Sequence, residues 1–147
     1  MPTLFDPSAR GKIVSRLSNL KPDRHPLWGR LDAARVQTHL SDQLRMTLGD
    51  VVCKPKNTPF QYPVVRQLIV YVLPWPKGAP TAPELLATAP AEFEADRQTL
   101  LQLIERVGTR KPEEPFGDHP AFGRLSRRAW GVLAWRHLDH HLRQFGL

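Results

Sequence analysis

Fifteen prolines in 147 residues dictate where this chain can hold regular structure. A proline inside a helix loses a backbone hydrogen bond and clashes with the preceding turn, so long helices must fit between prolines. Four stretches are long enough and carry apolar residues at helical spacing. Asp6-Pro7 starts the first, with Asp as cap and Pro at the first helical position. Ile13, Val14, Leu17 and Leu20 follow, and Lys21-Pro22 ends it. Asp32 opens the second, which presents Val36, Leu40, Leu44 and Thr47 on one side and stops at Gly49. Arg35, Asp42 and Arg45 are assigned to its remaining surface. Ala91 to Val107 is the third, with a stripe of Phe93, Leu100, Leu101, Leu103, Ile104 and Val107. Ser126 caps the fourth, which Gly146 closes.

Between these lie loops. Pro63 to Leu73 is rich in β-branched residues, and with no partner strand visible elsewhere it reads as a short helix. Pro74 to Pro90 reads as a long ordered loop with a helical turn at Pro83-Glu-Leu-Leu86, and Thr109 to Leu125 as a second loop. The reading is all-α: four main helices in one bundle domain over residues 1–147.

Composition narrows the function classes. No apolar run approaches the roughly 20 residues of a spanning helix, so no membrane partner is expected. The start of the chain lacks a basic, then apolar leader. A lone cysteine, Cys53, excludes an internal disulfide, and a cytoplasmic location is the expectation. Cys53 itself reads as a buried, inert thiol. A net charge of +7 raises the question of nucleic acid. The positive residues are scattered, however, and no aromatics interleave them, so nucleic acid is set aside as a partner.

The final helix carries the chemistry. With His137 at 0° on a helical wheel, His141 falls at about 40°, Trp130 at about 20° and Ala134 at about 60°. The pair sits inside the apolar face, where each imidazole has two nitrogens to satisfy. One cation bound by both rings answers that need, but two ligands cannot close a site. His39, mid-way along the second helix, is the third candidate. His25 and His119 each precede a proline and read as turn or rim residues. Three histidines leave an open position, as in catalytic rather than structural zinc sites. His140 falls at the margin of the face, at about −60°, and Gln144 beside the pair, at about −20°. Both are candidates to orient a ligand or a bound water, and in that sense to be catalytic. Donor type does not separate zinc from nickel, iron or manganese.

With His39 and His137-Leu-Asp-His-His141, the chain resembles the DinB-like (DinB/YfiT) superfamily of metal-binding four-helix bundles. Leu27-Trp-Gly29, Pro76-Lys-Gly-Ala-Pro-Thr-Ala-Pro-Glu84, His119-Pro-Ala-Phe-Gly123 and His137 to Gly146 resemble, in particular, a bacterial branch of unassigned function. The resemblance spans nearly the whole chain. It implies an up-down-down-up bundle, a divalent metal on His39, His137 and His141 (zinc or nickel before iron or manganese) and a homodimer. It also implies chemistry on a low-molecular-weight thiol and an electrophile, as in thiol-dependent transferases, with His140 beside the ligands or as a proton carrier. Arginines at the mouth would hold the thiol's carboxylates. A water-activating hydrolase and a non-catalytic metal- or ligand-binding module are the alternatives.

Overall fold

The structure, a computed structural model, describes residues 1–78 and 81–147. It is all-α, with no strand among the described residues. The helices are α1 (Pro7–Ser18), α2 (Ala33–Leu48), α3 (Pro63–Gln67), α4 (Phe93–Gly108) and α5 (Arg127–Gln144). Each long helix begins where a side chain can accept from the orphan N–H groups of its first turn. Asp6 accepts from Ser8 N, Asp32 from Arg35 N, and Ser126 from Ala129 N. Such caps contribute about 1 kcal/mol each. The start of α4 differs from expectation by two residues, because Glu92 folds its carboxylate back onto Glu94 N and Ala95 N. Gly49 ends α2 in the left-handed conformation, with φ 83°.

The short helix expected over Pro63 to Leu73 is present. It is α-helical to Gln67 and widens into one π turn over Leu68–Val72. Its terminal carbonyls are met from outside. The Arg136 guanidinium, on α5, donates to Ile69 O, Val70 O and Leu73 O, and the Trp75 indole donates to Ile69 O. The expected turn at Pro83–Leu86 is a 3₁₀ turn. Within the long proline-rich loop and the motif at Pro76 to Glu84, Ala79 and Pro80 lie outside the described residues.

α1 and α2 each pack against both α4 and α5. Contacts fix the directions pair by pair. Trp135 bonds to Ala9 O and Asp139 to Arg16, so α5 advances with α1. Arg10 pairs with Glu105, and Arg97 reaches Ser18 O, so α4 runs against α1. His39 meets His137, and Met46 shares a cluster with Trp130, so α2 runs against α5. The shared core holds Ile13, Leu17, Val36, Leu40, Leu100, Ile104, Leu138 and Phe145. No helix is long and apolar enough to cross a membrane among the described residues.

Two surface assignments are corrected. Asp42 is 2% exposed and accepts from Thr88 N, Thr88 Oγ1 and Arg45. Arg35, on the same side of α2, is partly buried and donates to Leu86 O and Thr88 O. The segment after the 3₁₀ turn lies across this polar face. Asp139, about 160° from His137 on a helical wheel, is also buried, between Arg16 and Arg143.

Candidate metal centre

α2 and α5 cross where His39 faces the His137–His141 pair. His39 Nε2 lies 3.1 Å from His137 Nε2, and His141 Nε2 lies 3.0 Å from the same atom. Among the described residues these three form a group placed to hold a metal ion. His39 is fully buried, while His137 and His141 keep some exposure, so the group is closed from α2 and open at α5.

The surroundings decide which nitrogens face inward. His39 Nδ1 sits 2.8 Å from Leu85 O, in the 3₁₀ turn. A carbonyl only accepts, so the proton is assigned to Nδ1, and Nε2 presents its lone pair. His141 Nδ1 sits 2.8 Å from Gln144 Oε1, and Gln144 Nε2 donates to Trp28 O at 2.6 Å. That second bond sets the carboxamide's orientation. His141 therefore also carries its proton on Nδ1 and turns a lone pair toward His137. A proton on His137 Nε2 could serve one neighbour and not the other, whereas a cation serves all three. Ligand bonds of about 2.0–2.1 Å in tetrahedral geometry place nitrogens about 3.3 Å apart, close to the two separations to His137, and all three donor atoms lie within 4.8 Å of one another.

Electrostatics agree with a neutral donor set. Burial lowers the His39 pKa and pushes His141 down to about 3. Burial, reinforced by the neighbouring histidines, holds His137 well below its ordinary value. Near neutral pH all three are uncharged, as metal ligation requires.

The connector before α2 locks the site from outside. Leu27 N donates to Gln144 O at 2.7 Å, and Gly29 takes φ 81° directly against Gln144. A Cβ at Gly29 would overlap Gln144 Nε2. The Leu27-Trp28-Gly29 motif thus orients a buried glutamine, which orients His141.

His140 does not join the three. It stands half-exposed at the rim, its ring centroid 5.2 Å from His141, 6.1 Å from Trp28 and 6.3 Å from Trp75. Burial lowers its pKa against the pull of Asp139. The Trp75 ring also covers His137, at 5.9 Å. His119 is a turn residue: its Nδ1 accepts from Ala121 N and Phe122 N. His25 is exposed in the connector. Cys53 is buried, and burial raises its thiol pKa, as expected of an inert thiol.

Sequence reasoning missed three contributors: Leu85 O, Trp28 O and the Trp75 ring. The first two are backbone atoms, without a residue-type signature. The signals that existed were the glycine after Trp28 and the helical turn at Pro83–Leu86. The family described as "Protein of unknown function (DUF1569)" matches residues 6–146. No curated protein and no solved structure matches the chain.

Proposed function

The chain belongs to the DUF1569 family, and we propose that His39, His137 and His141 hold one divalent metal ion that activates a low-molecular-weight thiol, or water, for a thiol transferase-like reaction. The observation that carries this is the set of inward-facing Nε2 atoms, two of them forced inward by Leu85 O and Gln144 Oε1. A bound divalent ion would lower the pKa of a thiol or a water and act as a Lewis acid. Zinc or nickel is the first choice for that ion, with iron or manganese as further options. Gln144 holds His141 in the ligating tautomer. His140, at the rim beside His141, would take the proton that a thiol or water gives up.

The same proposal reads the four long helices, with the directions above, as one up-down-down-up DinB-like bundle over residues 1–147. It also includes a cytoplasmic homodimer acting on a small thiol and an electrophile, with no nucleic-acid partner expected. The second reading is a non-catalytic metal- or ligand-binding module. One observation favours it: among the described residues, two open surface hollows lie away from the histidines, against Pro63, Leu68 and Val72, and against Pro2, Lys12 and Trp135.

Elemental analysis of protein made without a polyhistidine tag tests the metal. About one divalent ion per chain is expected in wild type, with most of it lost in His137→Ala. Equal content in the two would end the assignment. With cobalt loaded, a small thiol should produce a sulfur-to-metal charge-transfer band below the free-thiol pKa of about 8.5. A spectrum unmoved by several thiols would leave a hydrolase or a binding module.

A further inference from the structure

We propose that the rim of this site is a carboxylate-binding subsite, in which the Lys77 ammonium and the Trp28 indole N–H receive an anionic end of the ligand whose other end reaches the histidines. This rests on the three histidines being the reactive centre, and it names the ligand class they serve.

The first observation is an orphan donor. Trp28 Nε1 is buried and has no hydrogen-bond partner. Buried indole N–H groups ordinarily find an acceptor, and leaving one unmade is costly. The atom is held in place by strong local constraints. The Trp28 carbonyl is bonded to Gln144, the preceding N–H of Leu27 is bonded to Gln144 O, and Gly29 turns the chain away. Relaxing Trp28 to satisfy its indole would disturb the glutamine that orients His141.

The second observation is a cation without an anion. Lys77 Nζ stands 4.4 Å from the centroid of that same ring. It takes part in none of the ion pairs among the described residues, which are all formed by arginine. The acids nearest the site are committed: Asp139 to Arg16 and Arg143, Asp42 to Thr88 and Arg45. One arginine beside the rim is not available for a ligand's carboxylate either. Arg136 lies over the Trp75 ring at 5.0 Å but spends its N–H groups on Ile69 O, Val70 O and Leu73 O.

The third observation is position. Trp28 touches His140, and His140 touches His141, so the Trp28 indole lies two ring contacts from a candidate metal ligand, with Lys77 over its face. Trp75 forms another aromatic wall over His137 and His140. One ammonium and one N–H, with no guanidinium fork, suit a singly charged acceptor with two oxygens. A carboxylate fits that description better than a phosphate. A ligand joining the two sites is a small molecule with a few bonds between its reacting group and its carboxylate.

The test compares 6-mercaptohexanoate with 6-mercaptohexanol, which differ only at the far end. Binding is titrated on cobalt-loaded full-length protein through the charge-transfer band. Variants are Lys77→Gln and Trp28→Phe; the latter keeps a ring and the backbone carbonyl while deleting the N–H. Metal content and melting temperature should match wild type in both. Wild type should prefer the carboxylate thiol by about tenfold, and each variant should lose most of that preference. Equal affinity of wild type for the two thiols, or an unchanged preference in both variants, would overturn the subsite and leave the thiol reading standing. If neither thiol gives a band, the thiol reading fails, and hexanoate quenching of tryptophan fluorescence decides the subsite alone. Quenching weakened in Lys77→Gln sustains it, and quenching identical in all three proteins, or absent, overturns it. Inorganic phosphate displacing hexanoate at lower concentration would overturn the assignment to carboxylates.

Discussion

Deleting the Gln144 side chain probes the second layer of the site without touching a metal ligand. Gln144 is 4% exposed, and its carboxamide makes two bonds: it accepts from His141 Nδ1 at 2.8 Å and donates to Trp28 O at 2.6 Å. In Gln144→Ala the His141 imidazole loses the acceptor that fixes its tautomer and ring angle. Removing such a partner weakens metal affinity by about 10- to 100-fold, equivalent to roughly 1.4–2.7 kcal/mol. Folding stability should fall as well, by about 1–3 kcal/mol, because the Trp28 carbonyl loses its donor. Water entering beside the partly exposed His141 should keep that loss toward the lower end. Gln144→Glu separates the two bonds, since it keeps an acceptor for His141 and removes the donor to Trp28 O. Its metal affinity should stay near wild type while its stability drops. Competition with a chromogenic chelator reports affinity, and circular dichroism reports the fold. An alanine variant with native helicity and affinity within about twofold of wild type would refute the reasoning. So would a glutamate variant that loses as much affinity as the alanine.

Gly29→Ala should cost about 1–2 kcal/mol of backbone strain at φ 81° and push the Gln144 carboxamide aside, lowering melting temperature and metal affinity together; a change in stability alone would uncouple the connector from the site. Asp42→Ala should destabilise by about 2 kcal/mol, since it frees Thr88 N and Thr88 Oγ1, and it should weaken metal binding by loosening the turn that supplies Leu85 O; urea midpoints and metal titration check both effects. His119 has its pKa lowered by burial to about 4, below an unfolded value of 6.5. The unfolded chain therefore takes up this proton first, so the His119 contribution is complete above about pH 6.5 and is lost as pH falls toward 4. Urea midpoints against pH should slope less over that window in His119→Asn than in wild type, and equal slopes would contradict the assignment. Saturating metal should raise stability by about 2.7 kcal/mol at a hundredfold excess over Kd, while the metal-free chain keeps its helical circular dichroism.

The prolines, the capping residues and the period of the apolar side chains were enough to place the long helices, because helix limits are set by local chemistry. Asp6, Asp32 and Ser126 cap α1, α2 and α5 as their positions in the chain imply, and only α4 starts late, at a glutamate that caps unusually. The His137–His141 pair was equally legible, since four residues make one helical turn and put both rings on one face. His39 was identifiable by its place on an apolar helix. That it meets the pair at 3.1 Å is a property of how α2 crosses α5. Tertiary structure alone decided the rest. Asp42 and Asp139 look like surface residues on a helical wheel, which describes one helix and not the segments laid across it. Leu85 O and Trp28 O orient the histidine rings through backbone atoms that every residue possesses, so no residue type could announce them. The pairing of Lys77 with Trp28 joins a loop to a connector 49 positions away, and only the packed chain brings them to one ring. Side-chain patterns encode what each helix must bury, whereas the orientation of a site depends on which carbonyls the packing delivers to it.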